Sequence, residues 1–114
     1  MTNVKTQKEV VCILTTEANL QKAKYLANRL LYQHYAACVN FREIESHFWW
    51  EGKLHESKEI QLLIKTNKDK LKVIHKEIKE IHSYENPEII FWMASGSKAY
   101  VEWIDEVVSF INIV

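Results

Sequence analysis

Late in the chain the segment HSYENPE brings His82, Tyr84 and Glu88 close together in sequence. An imidazole with a carboxylate is a donor set suited to zinc or copper(II). His82 and Glu88 are therefore the candidate metal ligands, with Tyr84 or Lys65 as supporting donors. The same segment also has a structural reading. His82 can interact with the C-terminal end of a helix, Pro87 can set a turn, and Glu88 can pair with a lysine. Both readings stay open. Upstream, KEIQLLIKT places Glu59, Gln61 and Lys65 on one face of a strand. With Tyr84 they can line a pocket for an anion or small metabolite, or form a polar network that fixes the register of subunits. The remaining histidines form no close-set pair. His75 and His82 share a helix face, but seven residues at 1.5 Å each separate them by about 10.5 Å, too far for one ion. His47 and His55 flank a hairpin tip and read as surface groups, open to adventitious Cu²⁺ or Ni²⁺. There is no H-x-x-x-H or C-x-x-C spacing, no glycine-rich phosphate loop and no nucleophile elbow. Catalysis is not expected.

The elements that must hold these residues follow from periodicity. EVVCILT (9–15) is a β-branched apolar run, as in a strand buried on both faces. From Asn19, a candidate N-cap, apolar residues recur at helical spacing to about Tyr35. AACVNFREIESHFWW (36–50) alternates with a period of two. Its apolar parity changes once, from Ala37, Val39 and Phe41 to Ile44, Phe48 and Trp50, which predicts a bulge near Arg42–Glu43. Gly52 supplies a turn, and residues 58–66 return as the partner strand. Leu71, Ile74, Ile78 and Ile81 form the apolar stripe of a second helix that starts near Asn67 or Asp69. Asn86–Pro87 ends that region, EIIFWMA (88–94) reads as another fully buried strand, and Ser97 opens a last helix through Ile111. The order β-α-β-β-α-β-α contains the ferredoxin-like arrangement, an α+β sandwich with four antiparallel strands and two helices on one face. The first strand is then central and the second at an edge, which keeps Cys12 and Cys38 apart.

The 114 residues suit one domain spanning 1–114. Fifteen basic residues balance fifteen acidic ones, so the field that draws nucleic acid is missing. The lysines between Lys65 and Lys79 are interleaved with Asp69, Glu77 and Glu80, as on a solvated helix face. No run of about 18 apolar residues is present to cross a membrane. The opening MTNVKTQKEV lacks an apolar signal region, and two cysteines are too few for a disulfide scaffold. Cytoplasmic residence with reduced thiols is expected.

ESHFWWEGKLHES (45–57) sets Phe48, Trp49 and Trp50 beside a tight turn. A strand from 36 to 50 would extend roughly 50 Å at 3.3 Å per residue, well beyond a small body. Trp49 and Trp50 point to opposite faces of it, and burying each ring is worth about 2–3 kcal/mol. A second copy of the chain is the economical cover, so Phe48, Trp49 and Trp50 are assigned to subunit packing rather than to base stacking. The sheet face opposite the two helices, carrying Leu63, is also expected to be open to a partner.

These motifs, in order, resemble the CutA divalent-cation tolerance proteins: AACVN, then Ser46-x-Phe48-x-Trp50-x-Gly52, Glu59, Lys65–Thr66, His82-x-Tyr84-x-x-Pro87–Glu88–Ile89 and Tyr100-x-x-Trp103–Ile104. The likeness runs over residues 9 to 111. It implies a homotrimer of ferredoxin-like subunits with ribbons that embrace neighbours, a link to copper and other divalent cations, and no established enzymatic activity. It also implies a structural likeness to PII-type signalling trimers, so a nucleotide- or metabolite-binding sensor acting through a protein partner is the alternative. Three departures stand out. Phe48 replaces a common tyrosine and Ser83 a common proline. Thr15 or Thr16 stands where some members carry a cysteine, which lowers the expectation of a soft thiolate site for copper. The function expected is metal-ion tolerance, with divalent cations bound weakly between subunits and no obligatory cofactor.

Overall fold

A computed structural model describes residues 9–110; the opening eight residues and the predicted helix end at Ile111 lie outside it. The elements are β1 (Glu9–Glu17), α1 (Leu20–Tyr32), β2 (Cys38–Trp50), β3 (Lys53–Thr66), α2 (Lys68–Ile81), β4 (Ile90–Ser95) and α3 (Lys98–Val108). The four strands form one antiparallel sheet in the order β2-β3-β1-β4, with β1 central and β2 at an edge. This is the expected ferredoxin-like α+β topology.

Local chemistry sets the helix ends. The Asn19 side chain accepts the Lys22 N–H at 2.9 Å, and Asn67 accepts that of Asp69 at 3.1 Å. Each satisfies a donor that the first helical turn leaves free. Ser97 precedes α3 without a side-chain capping bond. α1 stops at Tyr32, three residues before the expected Tyr35, because His34 turns left-handed at φ 58°. The N–H of Tyr35 then returns to the Leu30 carbonyl at 3.0 Å, closing the helix end.

The main core lies between the sheet and the α1–α2 layer. Val11 and Ile13 of β1, Leu62 and Ile64 of β3, Leu26 and Leu30 of α1, and Ile74 and Ile78 of α2 are all buried there. Truncating one such leucine or isoleucine to alanine typically costs about 2–5 kcal/mol. The opposite face is not left bare, contrary to expectation. Val101 and Ile104 of α3 pack there on Val10, Cys12, Leu63 and Ala94. The apolar stripe of α3 needs a surface, and this sheet face is the one the first two helices leave available. Cys12 and Cys38 are both free. Each pairs with Lys65, from opposite sides of β3. Burial pushes the Cys12 thiol up, against a smaller opposing pull from Lys65.

Two other expectations change. β2 pairs with β3 in one unbroken register from Cys38↔Lys65 to Trp50↔Lys53, so there is no bulge at Arg42–Glu43. The apolar parity changes because the ribbon leaves the body. Val39 packs toward the helices, whereas Ile44, Phe48 and Trp50 lie on the other face of the projecting part. β4, expected to be buried, is an exposed edge strand: Ile90, Phe91, Trp92 and Met93 are 52%, 55%, 42% and 38% accessible. A continuous apolar strand at a sheet edge calls for cover that the described residues do not supply.

β1 pairs with β3 only as far as Glu17↔Ile60. Beyond that point β2 and β3 continue alone, from Ile44↔Glu59 to the tip at Trp50↔Lys53. Seven pairs at 3.3 Å per residue make an overhang of about 23 Å. The tip is a two-residue turn in which Glu51 and Gly52 both have positive φ, 51° and 76°. That conformation matches the twist of the flanking strands.

Candidate functional site

The segment after α2 is tied down at its start. The backbone N–H of His82 donates to the Ile78 carbonyl at 2.9 Å, ending the helix. The His82 ring has no solvent exposure. Its Nε2–H donates to the Thr16 carbonyl at the end of β1. Its Nδ1 accepts the Tyr84 N–H at 2.9 Å. These partners select the tautomer protonated on Nε2 and occupy both nitrogens. In this conformation His82 presents no lone pair to an ion and acts as a clamp on the loop.

Glu17 completes the clamp. It is 2% exposed. Its Oε1 accepts the Ala18 N–H at 2.9 Å and the Ser83 hydroxyl, and its Oε2 accepts the Ser83 N–H at 3.1 Å. Burial works against the charge, but the Ser83 hydroxyl and the two backbone N–H groups outweigh it. They hold the Glu17 carboxyl below its ordinary range. Ser83, which stands where a proline is common in the resembled family, thus supplies two donors, one of them a backbone N–H that proline lacks.

The loop and the overhanging ribbon enclose a groove of about 890 Å³. Phe48, Trp49 and Trp50 line one side and Tyr84 to Glu88 the other. Glu59, the first β3 residue beyond the last β1 pair, lies in it and is 8% exposed. The Tyr84 hydroxyl donates to Glu59 at 2.7 Å. Burial, then this hydrogen bond and the Glu59 charge, push the Tyr84 phenol far above its ordinary range. Glu88 also lines the groove, and its carboxyl is pushed up by partial burial and by the Glu59 charge.

Of the residues chosen from sequence, the structure brings Glu59, Tyr84 and Glu88 to one groove. His82 holds the loop from behind. Lys65 lies six residues along β3, about 20 Å at 3.3 Å per residue, with its ammonium 5.9 Å from the Tyr100 ring of α3. Phe48, Trp49 and Trp50 are 40%, 73% and 41% exposed within one chain. A further set was not assembled from sequence. On the overhang, Nε2 of His47 lies 2.8 Å from Glu45 Oε2 and 3.6 Å from Glu56 Oε1. The three ligand atoms lie within 4.8 Å of one another. The signal was present as alternation, since Glu45 and His47 share a face and His47 is directly opposite Glu56.

Comparison with known proteins bears on the family and the fold. Residues 10–107 match the family of the CutA1 divalent ion tolerance protein. The divalent-cation tolerance protein CutA of Archaeoglobus fulgidus is 40% identical over 97 residues, covering 84% of this chain and 95% of that protein. Its counterpart in Pyrococcus horikoshii is 33% identical, covering 85% and 96%. The solved structure of the Archaeoglobus protein, described as periplasmic, superposes with a TM-score of 0.84 at 39% identity, covering 87% of this chain and 98% of that one. CutA1 from Oryza sativa superposes at 0.83 with 34% identity, covering 90% and 95%. With sequence and fold in agreement over nearly the whole described length, the chain belongs to the CutA1 divalent ion tolerance protein family.

Proposed function

We propose that the chain serves tolerance of divalent cations, copper among them, as a homotrimer that binds such ions weakly on its projecting ribbon, without catalysing a reaction. The observation that carries the ion-binding role is the Glu45–His47–Glu56 group, one imidazole and two carboxylates with converging ligand atoms. That donor set suits zinc or copper(II), and its exposure fits weak, reversible binding. The His82–Glu88 pair is the competing location, and an ion there would require the loop to open and free the imidazole.

Assembly is supported by the uncovered apolar surface. Trp49 and its cross-strand neighbour Leu54 are 73% and 60% exposed on one ribbon face, and β4 is apolar along a free edge. Surfaces of that kind mark association sites. Cytoplasmic residence belongs to the same reading. The periplasmic and chloroplastic names of relatives make cell fractionation its test.

Titration of metal-free protein with Cu²⁺ and Zn²⁺ tests the site. His47→Ala and Glu56→Gln are expected to weaken binding at least tenfold. Affinity that survives both changes but is lost in His82→Ala moves the ion to the loop. Absence of binding at millimolar metal overturns the reading.

A further inference from the structure

We propose that the groove between the ribbon tip and the loop after α2 binds a primary alkylammonium group, held by Glu59 and Glu88 against the walls formed by Phe48, Trp50 and Tyr84. The starting point is Glu59. It is more than nine-tenths buried, and among the described residues its only hydrogen-bond partner is the neutral Tyr84 hydroxyl. No lysine, arginine or histidine among the described residues forms an ion pair with it. Buried charges are ordinarily matched by opposite ones. Here the neighbouring charge is of the same sign. Glu88 holds its proton more tightly partly because of Glu59, and the field that favours a proton favours any cation.

The lining decides which cation. Glu59, Glu85 and Glu88 contribute to it against a single histidine, His47, and lysine and arginine are absent from the lining residues, so a phosphate or nucleotide would meet net repulsion. A divalent metal needs three or more donors converging on a point. Among the described residues only the Glu45–His47–Glu56 group has that geometry; it shares His47 with the groove wall but includes neither Glu59 nor Glu88. The groove has aromatic rings instead, Phe48, Trp49, Trp50 and Tyr84. An ammonium group needs no fixed coordination number; it takes carboxylates as hydrogen-bond acceptors and ring faces as cation–π partners. A cleft of about 890 Å³ also has room for an alkyl chain beside the apolar rings.

The ammonium has two sources with the same chemistry, a free alkylamine or a lysine side chain from a second copy. Titration of the full chain at low ionic strength with 1,4-diaminobutane, followed by calorimetry and indole fluorescence, tests the first. Saturable binding with a change in tryptophan emission is expected, weakened at least tenfold by Glu59→Gln and by Glu88→Gln. The second variant alters an exposed residue and guards against misfolding in the first. Treatment of the assembled protein with a carbodiimide tests the second source. Chain-to-chain cross-links that both variants reduce would assign the lysine. The proposal is overturned if the diamine does not bind and no variant-sensitive cross-link forms, or if diamine binding ignores both substitutions. Copper binding by the parent chain, titrated separately, keeps a failure here distinct from a failure of the ion-binding reading.

Discussion

Glu17→Gln is the sharpest probe of the clamp. The carboxylate accepts three hydrogen bonds: from the Ala18 N–H and the Ser83 hydroxyl at one oxygen, and from the Ser83 N–H at the other. An amide can accept at only one end. Whichever way it turns, its NH₂ group faces a backbone N–H of Ala18 or Ser83, and that donor loses its acceptor at a partly buried position. An unsatisfied buried donor costs about 1–3 kcal/mol. The surviving bonds also lose charge assistance, which adds roughly 1 kcal/mol. At this partly buried site the expected loss is about 2 kcal/mol at pH 7, measured by urea unfolding at fixed protomer concentration because any assembly would contribute to apparent stability.

The pH dependence provides an internal check. The folded-state value for Glu17 lies below its unfolded one. The unfolded chain therefore binds more protons in the acid range. The stabilisation is fully present above the unfolded value, about 4.3, and is lost as pH falls through the lower folded value. The gap between the parent and Glu17→Gln should narrow below about pH 4. A variant as stable as the parent at pH 7, or a gap that stays constant down to pH 3, refutes the assignment of the clamp to this carboxylate.

Two other perturbations test the ribbon. Replacing Trp49 and Leu54 together by serine removes the exposed apolar pair on one face. At about 2–3 kcal/mol for a buried ring, the assembly should dissociate more than tenfold more readily in sedimentation at micromolar concentration; unchanged assembly would rule out this face as a contact. Gly52→Ala places a β-carbon at φ 76°, where nothing lies within 4 Å of it. The cost is then backbone strain alone, about 1–2 kcal/mol in chemical unfolding, and a loss above about 3 kcal/mol would reveal a contact at the tip.

Residues that signal locally were legible. Asn19 and Asn67 announced the helix starts, and the stripe from Leu71 to Ile81 announced the buried face of α2, because capping and periodicity act over a few residues. The topology followed from the order of such elements. β4 was misread because a continuous apolar run looks the same in a strand buried inside the sheet and in one exposed at its edge. The parity change in β2 was read as a bulge because pattern alone does not tell where a ribbon leaves the body. His82 was readable as a donor but not as a clamp. Its partner Thr16 and its neighbour Glu17 lie more than sixty positions upstream, and no spacing rule links them. The Glu59–Tyr84 bond was hidden for the same reason, although both residues were selected for their chemistry.

The clamp and the groove share one point in the sheet. Glu17 is the last residue of β1 to pair, and its partner is Ile60. The next β3 residue is Glu59, where the ribbon loses its third strand. Glu17 fixes Ser83, His82 fixes the Tyr84 backbone, and the Tyr84 hydroxyl reaches Glu59. The loop therefore bridges the end of the supported sheet and the start of the unsupported ribbon. A two-stranded ribbon has little stability of its own, so its angle to the body depends on the few contacts at this junction. An occupant of the groove would touch both sides of that junction at once, through Phe48 and Trp50 on the ribbon and Glu88 on the loop. Charge placed beside Glu59 would thus bear on where the ribbon tip points, and the tip carries the aromatic surface assigned to assembly.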